Sequence, residues 1–311
     1  MKWNQKNIII GIFLAFFFLF SGIFLTKSEG TLERLEEIPL SIFGILALIV
    51  VIGLFLNGLF LSLVAKPFGI YIPRAFLLSC AASLLNMITP FRGGAVFRAW
   101  YLKSTLGMKY KDFVISLFGN YLIVFLTSSG VALCLLFFIQ MKKTEFFFPL
   151  ALFFSILFLG CISILLFPRP TLRKGFFAHK WNNVVQGWNL IRSSRLLVSE
   201  LIVIALGNLL LEAIGIMVIF HGLRESIDAI SALFIAAFLV VGIFINITPG
   251  SLGISESLTV FAGILLGISP EIILLGTLLR RGIGIITILF LGIPAKFLLL
   301  YSHSPLEKQE I

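Results

Sequence analysis

Long apolar runs separated by short polar loops dominate this chain. Residues 8–26 (IIIGIFLAFFFLFSGIFLT) follow Lys2 and Lys6, carry no charge and are long enough to span a bilayer. They run into Lys27-Ser28-Glu29 without a small-residue cleavage pattern, which predicts an uncleaved first helix and not a signal peptide. The same reading predicts spans at about 39–64, 113–140, 146–168, 196–220 and 272–300. Two further apolar stretches are interrupted. The one at about 75–99 holds Pro90, Gly93 and Gly94 at its centre, and the one at about 229–268 is broken at Pro249, Gly250 and Gly253. Each is expected to enter and leave on one side. The expected fold class is therefore all-α: a polytopic integral membrane protein with about six full spans and two interrupted, re-entrant helical hairpins arranged as inverted repeats. It forms one domain over 1–311, with a first half at about 39–168 and a second at about 196–302. Were each interrupted stretch a pair of short full spans, the count would change and the class would not.

Composition sharpens this picture. Of 311 residues, 59% are hydrophobic and 12% charged, against about 25% charged in an average soluble domain. With 34 Phe, the chain has more apolar surface than one water-facing core of this length can hide, so a soluble enzyme is excluded. Three cysteines, Cys80, Cys134 and Cys161, all fall in apolar segments and do not make a disulfide framework. The net charge of +10 would suggest nucleic acid in a soluble chain, but here the charges sort by side. The loops and tails assigned inside hold 14 Lys and Arg, and those assigned outside hold 5 beside 8 acidic residues. By the positive-inside rule both termini are expected in the cytoplasm, with the protein multi-pass in the plasma or inner membrane. The loop at 169–195 carries six basic and no acidic residues. In it Trp181, Val184, Val185, Trp188 and Ile191 recur at helical spacing opposite polar positions, as in a helix lying flat on anionic lipid.

The sharpest feature is an internal repeat. Ile88-Thr89-Pro90-Phe91-Arg92-Gly93-Gly94 and Ile247-Thr248-Pro249-Gly250-Ser251-Leu252-Gly253 both read I-T-P-x-x-x-G, 159 residues apart, and each follows an Asn, Asn86 or Asn246. Proline removes a backbone donor and glycine loosens the helix, so such breaks persist at membrane depth only where protein or a watery cavity satisfies the freed groups. Entered from opposite sides, the two breaks have the arrangement of an inverted repeat with a site between its halves. A pair of ordinary packing kinks is the alternative.

Charge inside the apolar stretches points to the same place. Arg92 and Arg98 flank the first break, Glu256 follows the second, Glu212 sits in LLLEAIG, and Arg280 and Arg281 interrupt the last span. An intramembrane Arg costs roughly 2.5–3.5 kcal/mol, so four cost about 10–14 kcal/mol, comparable with a whole protein's stability of roughly 5–15 kcal/mol. Two glutamates answer at most two of them. The surplus suits an anionic headgroup, because a planar guanidinium matches phosphate, and helix N-termini after the breaks add positive dipole ends. Two alternatives stand beside this: Arg92 and Arg98 snorkelling to the inner surface, and Glu212 or Glu256 forming structural ion pairs with Arg280 or Arg281.

Two stretches, LLNMITPFRGGAVFRAWYLKSTLGM and FINITPGSLGISESLTVFAGILLGISPEIILLGTLLRRGIGIITILFLGIP, resemble the flippase-like transmembrane domain of lysylphosphatidylglycerol synthases. The resemblance covers essentially the whole chain. It implies that Pro90, Gly93, Gly94 and Arg98 form the first-half element, that Pro249, Gly250, Gly253 and Glu256 form the second, and that Arg281 is the arginine of the last span. One departure stands out: where the family often has a Glu-Arg pair and a following Asp, this chain has Gly119-Asn120-Tyr121. The full-length synthases also carry a soluble aminoacyltransferase domain, which these residues do not include.

Three function classes follow. A lipid flippase or translocator would hold an anionic or modified phospholipid headgroup, or a lipid-linked one, at mid-membrane depth. Its site would be built from Arg92, Arg98, Glu212, Glu256, Arg280 and Arg281, with Asn86, Thr89, Pro90, Gly93, Gly94, Asn246, Thr248, Pro249, Gly250 and Gly253 shaping the breaks. A membrane subunit assisting a separately encoded aminoacyl-phospholipid synthase or lipid-linked glycosyltransferase would need only the fold. An enzyme would need a catalytic constellation, and none is read: His179, His221 and His303 lack ligand spacing, and Ser251, Ser255 and Ser257 have no base beside them. The expected partners are membrane lipids, with no nucleic acid, cofactor or metal, and with a partner transferase and a homo-oligomer left open.

Overall fold

The computed structural model describes residues 36–89, 92–142, 148–166, 194–243 and 248–301. The first span expected at 8–26 lies outside these residues. So do Pro90, Asn246 and the amphipathic helix expected within 169–195, apart from the loop's last two residues.

Nine α-helices and no strand occur among the described residues, so the all-α membrane fold is borne out. They are α1 (Leu40–Val64), α2 (Ile72–Ile88), α3 (Gly93–Leu106), α4 (Tyr110–Lys142), α5 (Phe148–Leu166), α6 (Arg195–Gly222), α7 (Ala229–Phe238), α8 (Ile254–Leu266) and α9 (Pro270–Tyr301). Short 3₁₀ turns at Lys66–Phe68, Leu239–Ile243 and Pro249–Ser251 join some of them. Five helices, α1, α4, α5, α6 and α9, are the spans the hydrophobic pattern predicts. A sixth segment, Pro249–Leu266, is also long and apolar enough to cross a membrane, although the sequence assigns it to a re-entrant limb. Its mean hydropathy of 1.3, against 2.3–2.7 for the other five, reflects the polar residues from Ser251 to Thr259.

The helices sort into two ends. At one, Ala65, Ile70, Leu102, Met108, Phe113 and Leu299 share a buried cluster, and Lys66, Arg74, Lys103, Lys109 and Lys111 surround it. At the other, Ile38, Ile42, Ile139, Ile219, Leu223 and Ile273 pack together, and Glu37, Glu225, Asp228 and Glu271 lie nearby. Here Arg224 reaches Glu37 across the surface at 3.1 Å. The α2–α3 hairpin enters and leaves at the basic end. The α7–α8 hairpin does so at the acidic end, where Ile230, Leu266 and Ile268 join that cluster.

Packing between the halves is reciprocal. Each hairpin's first helix lies against the long helix that follows the other half's hairpin, α2 on α9 and α7 on α4, while α1 and α6 pair directly. Likewise α1 packs on α9 and α6 on α4. Exchanging α1–α4 for α6–α9 therefore maps these pairs onto one another. Helix α5 packs on α4 and turns Phe153, Ile156 and Leu159 outward, as a lipid-facing helix does.

Small residues set the close crossings. A Cβ on Gly94 would sit 2.0 Å from the carbonyl oxygen of Ala82, and one on Gly292 would lie 2.9 Å from that of Cys80, so α3 and α9 both approach the α2 backbone through glycine. Gly44, facing open space in α1, is the internal control. Gly94→Ala is expected to destabilise by about 1–3 kcal/mol through overpacking. Gly44→Ala should be neutral or stabilising by up to about 1 kcal/mol. Thermal unfolding of the purified variants checks both.

Candidate functional site

Both breaks are held open by specific bonds. At the first, α2 ends as the Thr89 hydroxyl donates to the Leu85 carbonyl at 2.6 Å. The chain then reverses through Arg92, whose φ of 56° lies in the left-handed region that non-glycine residues avoid. Asn86 supplies the missing cap: its Oδ1 accepts from the Gly94 amide at 2.9 Å, satisfying an orphan donor at the start of α3. At the second break Ser251 has a φ of 58°, and it occupies the place in its I-T-P motif that Arg92 occupies in the other. Two left-handed non-glycine residues at matched positions cost about 1–3 kcal/mol each, strain of a kind that concentrates at functional sites. The Thr248 hydroxyl donates to the Leu252 carbonyl at 2.8 Å, and the Gly253 amide donates to Glu256 Oε2 at 2.8 Å, so Glu256 caps its own helix.

The arginines divide into two pairs. Arg281 is tied to the second break: it donates to Ser255 Oγ at 2.9 Å, to the Glu256 carboxylate and to the Gly250 carbonyl. Arg280, about 100° round α9, reaches Glu212 of α6 at 2.6 Å, its guanidinium passing beside Gly215. The ion pairs held open by the sequence are thus formed, and Arg280 and Arg281 diverge.

Arg92 and Arg98 are answered differently. Both line a cavity of about 340 Å³, within the roughly 300–1,000 Å³ range of small-molecule sites. Arg92, from the left-handed turn before α3, and Ala95 and Arg98, from its first two turns, all reach this hollow. Arg92 donates to the Tyr121 hydroxyl, with its guanidinium 5.2 Å from that ring's centre. The Nε of Arg98 is buried without an acceptor among the described residues. Helix α4 presents Ser116, Asn120 and Tyr121, helix α1 presents Asn57, and Gly250 and Ser251 of the second break complete the wall. Residues of both halves therefore meet here, and no Asp or Glu lines the cavity among the described residues.

Two further hollows adjoin it. One of about 250 Å³ shares Asn57 with the first and reaches Asn208, Glu212 and Arg280. Another, about 460 Å³, is bounded by Gly250, Glu212, Arg280 and Arg281 together with apolar side chains of α9. The Arg280–Glu212 pair stands in the wall of both.

Among the expected site residues, Asn86, Arg92 and Arg98 come together at the first cavity, and Glu212, Arg280 and Arg281 at the adjoining hollows. Thr89, Gly93, Gly94, Thr248, Pro249 and Gly253 shape the breaks, with Glu256 buried behind Arg281. Asn57 and Ser116 line the cavity without a sequence signal, while Asn120 and Tyr121 have one, the departure at Gly119-Asn120-Tyr121. Among the described residues no three His, Cys, Asp or Glu side chains gather as a metal would require.

The two ion pairs should differ in structural weight. The Glu256 side chain is 1% exposed, so Arg281→Met is expected to cost about 3–5 kcal/mol by leaving a buried carboxylate unpaired. The Glu212 side chain is 37% exposed to its cavity, so Arg280→Met should cost clearly less. Comparing the thermal midpoints of the two variants checks the order.

No curated relative matches this sequence. The family model described as the lysylphosphatidylglycerol synthase TM region matches residues 8–292, nearly all of the chain. With that match over the same helices and breaks, the protein belongs to the lysylphosphatidylglycerol synthase TM region family.

Proposed function

We propose that this protein binds an anionic lipid headgroup in the cavity beneath the first break and passes it between the leaflets of the cell membrane. One observation carries the reading: two guanidiniums, Arg92 and Arg98, line a polar hollow of about 340 Å³ that no carboxylate lines among the described residues. In a low-dielectric surrounding such a surplus draws a counter-ion, and a phosphodiester offers the matching planar, bidentate partner. By the positive-inside rule the basic end faces the cytoplasm, as do both termini. Asn57 lies about 10 Å from the end of α1 at Val64, which puts the cavity in the cytoplasmic half of the bilayer.

The adjoining hollows supply a route. A headgroup leaving Arg92 and Arg98 passes Asn57 to reach Glu212 and Arg280, its tails remaining among the apolar side chains outside. Arg280, already paired, accepts the phosphate by exchanging partners. Arg281 and Glu256 do not bind the lipid directly in this scheme; they hold the second break in place.

The test is exchange of fluorescent phosphatidylglycerol between leaflets of reconstituted vesicles, read by dithionite quenching. Arg98→Ala is expected to slow exchange by about tenfold or more, the loss of one charge-assisted hydrogen bond, while leaving the thermal midpoint nearly unchanged. Exchange at the original rate in the folded variant would remove the cavity from the function.

A further inference from the structure

We infer, resting on the headgroup reading above, that the cavity beneath the first break selects a phosphodiester whose substituent is uncharged and hydroxylated, and rejects a cationic aminoacyl substituent. The balance of charge in the wall is the first ground. Among the described residues its side chains of fixed charge are Arg92 and Arg98, both positive. Residues 73–111, which carry the first break, contain no Asp or Glu, and neither do residues 244–255 around the second. An incoming phosphodiester brings one negative charge to two positive ones. A lysyl substituent would add two ammonium groups to that site, with no carboxylate in the wall among the described residues to receive them, and like charges at close range in a low dielectric repel strongly.

The rest of the wall is the second ground. Asn57, Ser83, Ser116, Asn120 and Tyr121 bring amides and hydroxyls. Such groups donate and accept at once and match neutral hydroxyls, whereas an ammonium is a donor alone. Part of this capacity is already engaged within the protein. Ser116 donates its hydroxyl proton to the Phe113 carbonyl at 2.7 Å. Tyr121 accepts from Arg92 and keeps its own proton to give. Phosphate at the guanidiniums and a glycerol-like or sugar-like group along α4 is the occupant this wall suits.

Native mass spectrometry of the purified full chain, offered equal amounts of phosphatidylglycerol and lysyl-phosphatidylglycerol, tests the inference, with glycerol 1-phosphate in a separate arm. Phosphatidylglycerol is expected to be retained at least about tenfold over the lysyl lipid, and Arg98→Ala should abolish that preference. Asn120→Asp, which sets a carboxylate in the wall, should shift retention toward the lysyl lipid, a gain that mere loss of structure cannot produce. Equal or better retention of the lysyl lipid by the unaltered chain overturns the selectivity while lipid binding stands. Retention of neither lipid overturns the headgroup reading, and the selectivity with it. Glycerol 1-phosphate retained as well as phosphatidylglycerol would assign the same chemistry to a soluble ester and overturn the lipid.

Discussion

Positive charge held away from water governs this fold. Each guanidinium inside an apolar bundle must be answered, and the protein answers its four in two ways. Arg280 and Arg281 take protein carboxylates, Glu212 and Glu256. Arg92 and Arg98 face a shared hollow furnished with neutral polar groups. The first arrangement fastens helices together, since Arg281 ties α9 to the break before α8 and Arg280 ties it to α6. The second leaves a positive potential inside a low-dielectric shell, where a charge acts more strongly than it would in water.

The breaks make that placement affordable in structural terms. A continuous helix at Arg92 would carry its side chain along one uninterrupted face. The reversal at Arg92 and the glycines after it instead start a new helix at the cavity, with its amide dipole ends nearby. Asn86 and Glu256 then satisfy the amides each break exposes, one from the preceding helix and one from within the following helix. Matching left-handed conformations at Arg92 and Ser251 show that the repeat extends from letters to backbone, even where the side chains differ.

Reciprocal packing explains why two halves are needed. Each hairpin is backed by the long helix that follows the other half's hairpin. Gly94 and Gly292 let α3 and α9 close on α2, so the first break is pressed between elements from both halves. Gly250 and Ser251, from the second half, finish a cavity otherwise built by the first.

Much of this was legible in the sequence. Apolar run length determined five of the spans seen here, because a bilayer's thickness converts directly into residue number, and the I-T-P repeat located both breaks. The charge count showed that two glutamates left arginines over. What the sequence did not contain was the pairing: adjacent Arg280 and Arg281 are alike in the chain, and only their divergence by about 100° round α9 assigns one to Glu212 and the other to Glu256. Asn57 and Ser116 were equally silent, since a lone polar residue in an apolar helix has no partner within its own segment. Whether it faces lipid or a cavity is decided by helices that lie far away in sequence, and that decision belongs to the tertiary structure.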